Sequence, residues 1–398
     1  MTTKIAIIGQ GYVGLPAAIM ASEAGYEVFG VDSDLEKINK IKSGISSIED
    51  VSDSRLRSAL DSARYIPTNQ AKVVSQADVV LICVPTPLDE NRQPDLSFLI
   101  SAIESAARHL KIGALFIIES TVQPGTTRGV ALPLIEKVSG LSKENFFLAF
   151  SPERLDPTNK SWQIGNTPKL ISGLTDTACE KAVNFYSKFI SSLKICESLE
   201  IAETAKLLEN TFRLINISFI NEFAIFCTKN NLDVNKVIEA ASTKPYGFIP
   251  FYPSVGVGGH CIPVDPVYLA SKAKDVGAPT RFIDLAVEIN QQMAGYFVSR
   301  AEERLGVLKG KSILVVGVSY KPNVADVRET PVAALILGLK KKGAEVSWHD
   351  NLVKEWSGEK SSKLSSNYDL VIIATHHDYL DLSMLGNVPV INTSESIW

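Results

Sequence analysis

The N-terminus constrains the fold more than any other stretch. A strand-like Ile5-Ala6-Ile7-Ile8 runs directly into Gly9-Gln10-Gly11-Tyr12-Val13-Gly14, which opens a helical pattern. In that context a GxGxxG needs its first glycine for a tight turn and its second so that backbone can approach a pyrophosphate. The third lets the helix pack on the strand. Unpaired N–H groups and the dipole at the helix start favour an anion there. Gly25 ends the helix, and the second strand ends at Asp32, 18 residues beyond Gly14. A carboxylate at that place accepts from an adenosine ribose 2′-hydroxyl and repels a 2′-phosphate. Asp34 strengthens the repulsion, so NAD is favoured over NADP.

The rhythm set by this unit continues. Strands are expected at Lys4–Ile8, Glu27–Val31, Val79–Val84, Leu115–Glu119 and Phe146–Phe150. They are short and continuously apolar, as in a parallel sheet covered on both faces. From Ser198 to Asn231 no glycine or proline interrupts the chain, and apolar residues recur at helical spacing, which predicts one long helix. Residues 266 to 305 read as helical again, Gly306 to Lys311 as a linker, and from Ser312 a second, smaller α/β unit follows. Its strands are expected at Ile313–Val316, Glu345–Trp348 and Leu370–Ala374, with a helix over Pro331–Lys342. The expected class is α/β, with segments 1–197, 198–305 and 306–398.

At 398 residues and a net charge of −4, the chain offers no global basic surface for nucleic acid or an anionic membrane. No signal peptide or membrane-length apolar run is read. The five cysteines (83, 179, 196, 227, 261) include no CxxC pair, which points to reduced thiols in a cytoplasm and to no metal site.

Three groups of residues carry candidate chemistry. Gly256-Val257-Gly258-Gly259-His260-Cys261-Ile262-Pro263-Val264-Asp265-Pro266 sets a cysteine on a loop that glycines and prolines keep from becoming a helix. The alternative is a tight turn around a small buried cysteine. On the long helix, Glu203, Lys206, Asn210 and Arg213 are spaced 3, 4 and 3 and share one face. That stripe offers a cation, an amide and a guanidinium fork; the alternative is a solvated face with a Glu203–Lys206 pair. Past the ends of parallel strands, Thr86 in Cys83-Val84-Pro85-Thr86-Pro87 and Thr121 in Glu119-Ser120-Thr121-Val122 place hydroxyls where ligands of such sheets bind. Ser151-Pro152-Glu153-Arg154 adds a carboxylate and a guanidinium, and Lys321 and Arg328 stand after the first strand of the smaller unit.

Taken together, these motifs resemble the UDP-glucose/GDP-mannose dehydrogenase family over nearly the whole chain. The resemblance rests on the GxGxxG, CVPTP, ESTVQPGT, SPER, AETAKLLENTFR, GVGGHCIPVDP and SYKPNVADVRET. It implies two Rossmann-like doubly wound domains joined by a long central helix, a helical region forming a homodimer, and NAD as cofactor. It also implies four-electron oxidation of a sugar C6 alcohol to a carboxylate. By the same resemblance Cys261 is the nucleophile, Lys206 steadies the C6 oxygen with Asn210 as its partner, and Asp265 and Glu153 handle protons and water. Thr121 helps hold water or cofactor. Arg154, Leu155, Lys206, Asn210, Arg213, Gly258 and Lys321 match substrate contacts. Gly9, Gly11, Tyr12, Val13, Gly14, Asp32, Lys37, Thr86, Thr121 and Arg328 match cofactor contacts. His260 before the cysteine and Val264 before the aspartate resemble the branch acting on UDP-N-acetylhexosamines (UDP-GlcNAc or UDP-ManNAc), with UDP-glucose as the alternative. Ser254-Val255 and Thr158 depart from that branch's pattern. A two-electron hydroxy-acid dehydrogenase or a non-catalytic nucleotide-sugar sensor are the competing classes; NADH yield per sugar separates all three.

Overall fold

The first strand shows why a parallel sheet forms. In β1 (Lys4–Ile8), Ile5 and Ile7 point to one core with Leu15, Ile19 and Tyr186, while Ala6 and Ile8 point to another with Leu99, Ile103 and Ile135. A strand apolar on both faces needs helices on both. The computed structural model describes residues 2–48, 50–155, 161–378 and 380–395. Asp156, Pro157 and Thr158 lie outside them. The chain divides into two compact units, Met1–Leu208 and Glu209–Trp398.

In the first unit the strands are β1, β2 (Glu27–Val31), β3 (Tyr65–Thr68), β4 (Val79–Ile82), β5 (Leu115–Ile118), β6 (Phe147–Phe150), β7 (Lys169–Gly173) and β8 (Leu193–Ile195). They form one sheet in the order β3-β2-β1-β4-β5-β6-β7-β8. All pairs are parallel except β6 with β7. The helices are α1 (Gly14–Glu23), α2 (Leu35–Lys42), α3 (Asp53–Asp61), α4 (Ser97–Ala107), α5 (Leu132–Ser139) and α6 (Asp176–Tyr186). Strand order reverses between β1 and β4, and ligands of open α/β sheets bind in the crevice at such a switch point. The five expected strands are present; β3, β7 and β8 are additions at the sheet's two edges.

Helix α7 (Leu199–Lys229) is the long uninterrupted helix that the sequence predicts. The second unit continues with α8 (Val234–Ser242), α9 (Asp265–Asp275) and α10 (Arg281–Leu305). The stretch 266–305, read as helical, holds two helices: Gly277, at φ 70°, and Pro279 separate them after Asp275. The smaller sheet contains β9 (Ser312–Val316) and β10 (Glu345–His349), with α11 (Val332–Lys341) between them. A short hairpin, β11 (Glu355–Trp356) and β12 (Glu359–Lys360), precedes β13 (Leu370–Ile373) and β14 (Val390–Asn392). Its order β10-β9-β13-β14 is all parallel. No helix among the described residues is long and apolar enough to cross a membrane.

Candidate active site

In the first unit the GxGxxG turn sits at the switch point. Gly9 adopts φ 93°, and a Cβ there would lie 2.5 Å from the Cys83 carbonyl oxygen. A Cβ on Gly14 would overlap the Gly9 carbonyl oxygen, so helix α1 can approach β1 only with glycine at that position. A Cβ on Gly11 would meet no protein atom within 4 Å, which leaves its backbone open to a ligand. Tyr12 and Val13 are half-buried beside it. Asp32, at the end of β2, is buried and already engaged: its Oδ2 accepts from Gln10 N at 2.8 Å and pairs with Lys37 Nζ at 2.8 Å. Its Oδ1 accepts from Asp34 N at 3.0 Å. Lys37 therefore touches the carboxylate expected to read the ribose. The loops after β4 and β5 are stitched together by Ser120 Oγ, which donates to Val84 O at 2.7 Å; Thr86 is buried and Thr121 half-buried beside this link. The cradle fits a dinucleotide: an open glycine backbone at a helix N-terminus with a fixed carboxylate one strand away.

Farther along the same edge, Glu153 Oε1 accepts from Arg154 N at 2.6 Å and Leu155 N at 2.8 Å. Arg154 Nη1 donates to Pro168 O at 2.5 Å. Glu119 accepts from Tyr186 Oη and, at 3.4 Å, from Cys83 Sγ. Lys169, the first residue of β7, lies 3.1 Å from Glu119 and 3.6 Å from Glu153. Burial pulls its ammonium down, but the two carboxylates more than offset this and hold it above the usual lysine range. Burial and the Glu119 charge push the Cys83 thiol and the Tyr186 hydroxyl well up, so both remain protonated.

The polar stripe on α7 separates into distinct jobs. Glu203 is buried and accepts from Gly125 N at 2.5 Å and Thr127 N at 2.8 Å, a side-chain cap on the turn that leads into α5. Burial raises its carboxyl, an effect that the Thr127 and Gly125 hydrogen bonds reduce. Lys206 is buried one helical turn before Asn210, and Arg213 is half-buried. In the second unit, buried Asn210 donates from Nδ2 to Asp265 Oδ2 at 2.5 Å.

Asp265 opens α9 after Val264 at the N-cap, and its N–H donates to Cys261 O at 2.8 Å, which fixes the Cys261 backbone against the helix start while the residue stays exposed. Three anchors pin the preceding loop. Asn221 Oδ1 accepts from Ser254 N at 2.8 Å, and Asn290 binds Val257 through both N (2.7 Å) and O (3.1 Å). Gly259 N donates to Arg328 O at 3.0 Å. Gly258 is required by packing: a Cβ there would come within 2.6 Å of Glu329 O. Burial, then the nearby Arg328 charge, keeps the His260 imidazole below its ordinary range and neutral near pH 7. Arg328 forks Asp326 through Nε and Nη2 (2.9 and 2.5 Å), and Lys321 is half-buried on the same loop. Asn290 and Lys169 were not singled out from sequence: a lone Asn in a helix and a Lys at the head of an unrecognised strand carry no local signal. Among the described residues no metal-binding cluster occurs.

Comparison with known proteins places these features in context. Three family models match in chain order: the NAD binding domain of the UDP-glucose/GDP-mannose dehydrogenase family at residues 3–190, its central domain at 200–292 and its UDP binding domain at 314–392. A UDP-N-acetyl-D-glucosamine 6-dehydrogenase from Salmonella typhi is 34% identical, covering 94% of this chain and 90% of its own. A UDP-N-acetyl-D-mannosamine dehydrogenase from Pyrococcus horikoshii is 36% identical, covering 94% and 89%. A solved UDP-D-ManNAc dehydrogenase structure from Pyrococcus horikoshii superposes with a TM-score of 0.92 at 33% identity, covering 100% of this chain and 96% of that one.

Proposed function

The chain belongs to the UDP-glucose/GDP-mannose dehydrogenase family and is an NAD-dependent nucleotide-sugar dehydrogenase, and from that premise we propose that it oxidises the C6 hydroxymethyl of a UDP-N-acetylhexosamine to the uronic acid through a covalent adduct on Cys261. The observation that carries the reading is an exposed thiol on a loop pinned by Asn221, Asn290 and the Arg328 carbonyl, one turn before the buried Asn210–Asp265 pair.

Bound NAD, held by the Gly9–Gly14 cradle and Asp32 with Lys37, Thr86, Thr121 and Arg328 as further contacts, supplies the hydride acceptor for each of two oxidations. The protein's part is to manage protons, oxyanions and the acyl group. Asp265 accepts the hydroxyl proton as the C6 alcohol becomes an aldehyde. An aldehyde cannot release a second hydride until a nucleophile adds to it, so the Cys261 thiolate forms a C–S bond to C6 and gives a thiohemiacetal. Loss of the second hydride and the remaining O–H proton leaves a thioester. Water attacks that carbonyl, the C–S bond breaks and Cys261 leaves as thiolate. The net change is one alcohol, two NAD and one water giving one carboxylate, two NADH and three protons. Lys206 stabilises each oxyanion with Asn210, and Glu153 takes the proton from the attacking water. Arg154, Leu155, Arg213, Gly258 and Lys321 are assigned to hold the nucleotide-sugar.

The N-acetyl preference draws support from His260 and Val264 flanking the loop and from the activities named for the relatives. Homodimerisation draws support from α7, where Phe212, Phe219 and Phe226 recur every seven residues at 46%, 60% and 52% exposure. NADH counted per sugar across UDP-GlcNAc, UDP-ManNAc and UDP-glucose, with product mass, tests the scheme. We expect two NADH per sugar, the N-acetylated substrates preferred, and no acid from Cys261→Ser. Acid made at the normal rate by Cys261→Ser would sink the covalent route.

A further inference from the structure

Among the described residues, Lys169 is the one buried cation in a cluster that the proposed chemistry only partly uses. Its side chain is 7% exposed and reaches from the start of β7 under the carboxyl edge of the large sheet. There it meets two carboxylates at once, Glu119 Oε1 at 3.1 Å and Glu153 Oε2 at 3.6 Å. It also lies 3.5 Å from Pro152 O and 5.0 Å from the centre of the Tyr186 ring. Among the described residues, the titratable or charged groups around this point are Cys83 after β4, Glu119 after β5, Glu153 and Arg154 after β6, Lys169 on β7 and Tyr186 on α6. Tyr186 and Cys83 both donate to Glu119. The backbone of Arg154 and Leu155 satisfies only Oε1 of Glu153. Oε2 is buried, has no hydrogen-bond partner among the described residues and faces the ammonium.

The charge count is the point. With both carboxylates ionised, two negative charges share one ammonium at close range, because the tyrosine and the thiol stay neutral. Two buried carboxylates cannot both remain ionised without a cation, and the division of one cation between them sets how readily each takes a proton.

We propose that Lys169 is a positioning residue for the acid-forming half of the reaction: shared between Glu119 and Glu153, it orients Oε2 and supplies the positive charge that favours the ionised Glu153 needed to accept a proton from water. Glu119 is its counterweight, drawing part of the ammonium's field away from Glu153. This rests on the assignment of Glu153 to the water step, and the controls separate the two.

The test follows acyl-enzyme on Cys261 by rapid quench and intact mass, as a function of pH, in the full-length protein with NAD and a turned-over UDP-sugar. In wild type, acyl-enzyme breakdown falls off on the acid side along one limb. Lys169→Met is expected to move that limb to higher pH by about one unit, which slows breakdown up to about tenfold at pH values on the acid side of the limb. Lys169→Arg keeps the charge and is expected to stay within about threefold of wild type. Glu119→Gln, nearly isosteric, removes the competing carboxylate and is expected to move the limb the opposite way, to lower pH. A merely structural role would not produce opposite shifts. If Lys169→Met does not fold, the sign of the Glu119→Gln shift still decides. Unshifted limbs, or shifts of the same sign, alongside slowed breakdown in Glu153→Gln would overturn the role of Lys169 alone. Normal breakdown in Glu153→Gln would overturn the water assignment and the proposal with it.

Discussion

Replacing Asp32 with Ser should shift the enzyme's cofactor preference from NAD towards NADP, and the size of the change can be worked from the contacts. In the wild-type protein Asp32 is held rigidly by Gln10 N, Asp34 N and Lys37 Nζ, so its remaining lone pairs are fixed for a ribose diol. A hydrogen bond to a charged acceptor contributes about 1.5–3 kcal/mol, so losing it should weaken NAD about 10- to 150-fold in kcat/KM. Against NADP the same carboxylate is repulsive. One unit charge about 5 Å from a phosphate at an effective dielectric of about 20–40 costs about 2–3 kcal/mol, which the substitution removes. It also releases Lys37 from its 2.8 Å pair, leaving an ammonium beside the 2′-phosphate. The two effects add to about 3.5–6 kcal/mol, a change of roughly 400- to 25,000-fold in the NAD:NADP ratio of kcat/KM. The assay is initial-rate formation of reduced cofactor at 340 nm with each cofactor, on protein whose melting temperature has been checked, because Gln10 N loses its buried acceptor. A ratio changed less than about threefold in folded protein would refute the assignment of Asp32 to the ribose, as the energies above leave no room for so small an effect.

Other consequences follow from particular contacts. Glu203→Ala orphans the Gly125 and Thr127 N–H groups and should lower stability by about 2–4 kcal/mol, read as a denaturant midpoint at constant slope. Because burial raises the Glu203 carboxyl, in the pH interval between its unfolded and folded values the folded form holds a proton that the unfolded form has released. The wild type should therefore lose stability as pH rises through that interval, a dependence missing from the alanine variant. Asp350 carries the opposite sign. Burial works against it, yet His377 and the N–H groups of Val353, Leu352 and Val318 bring it down to about 2. Its contribution, about 2 kcal/mol, is present above the unfolded value and lost as pH falls from about 4 towards 2; Asp350→Asn should flatten that part of the stability profile. Phe219→Glu places a charge in the middle of the exposed aromatic row on α7 and should give monomers in sedimentation at micromolar concentration. An unchanged dimer would remove α7 from the interface.

The elements of the fold differ in how much of them the sequence reveals. The order of β1, α1 and β2, the glycine turn and Asp32 were legible because each depends on neighbours within about thirty residues. So was α7, whose 31 residues contain neither glycine nor proline. The edge strands β3, β7 and β8 were not, since only pairing across the sheet makes Tyr65–Thr68 or Leu193–Ile195 extended. The reading of 266–305 as helical did not locate the break between α9 and α10, which falls at Gly277 and Pro279.

The sequence by itself determined the chemistry on offer: a dinucleotide turn, a cysteine that glycines and prolines keep out of a helix, and a lysine and an asparagine one turn apart. Tertiary structure decided what each polar group spends its bonds on. Glu203 shares a helical face with Lys206, yet its carboxylate turns to cap residues 125–127. Asn290, 33 residues from Val257, pins the cysteine loop. Lys169, 50 residues from Glu119, becomes the cation between two carboxylates. The physical reason is common to all three. A side chain's residue type sets which bonds it can make, but a buried polar group bonds to whatever the fold brings within about 3 Å, and that partner is remote in sequence.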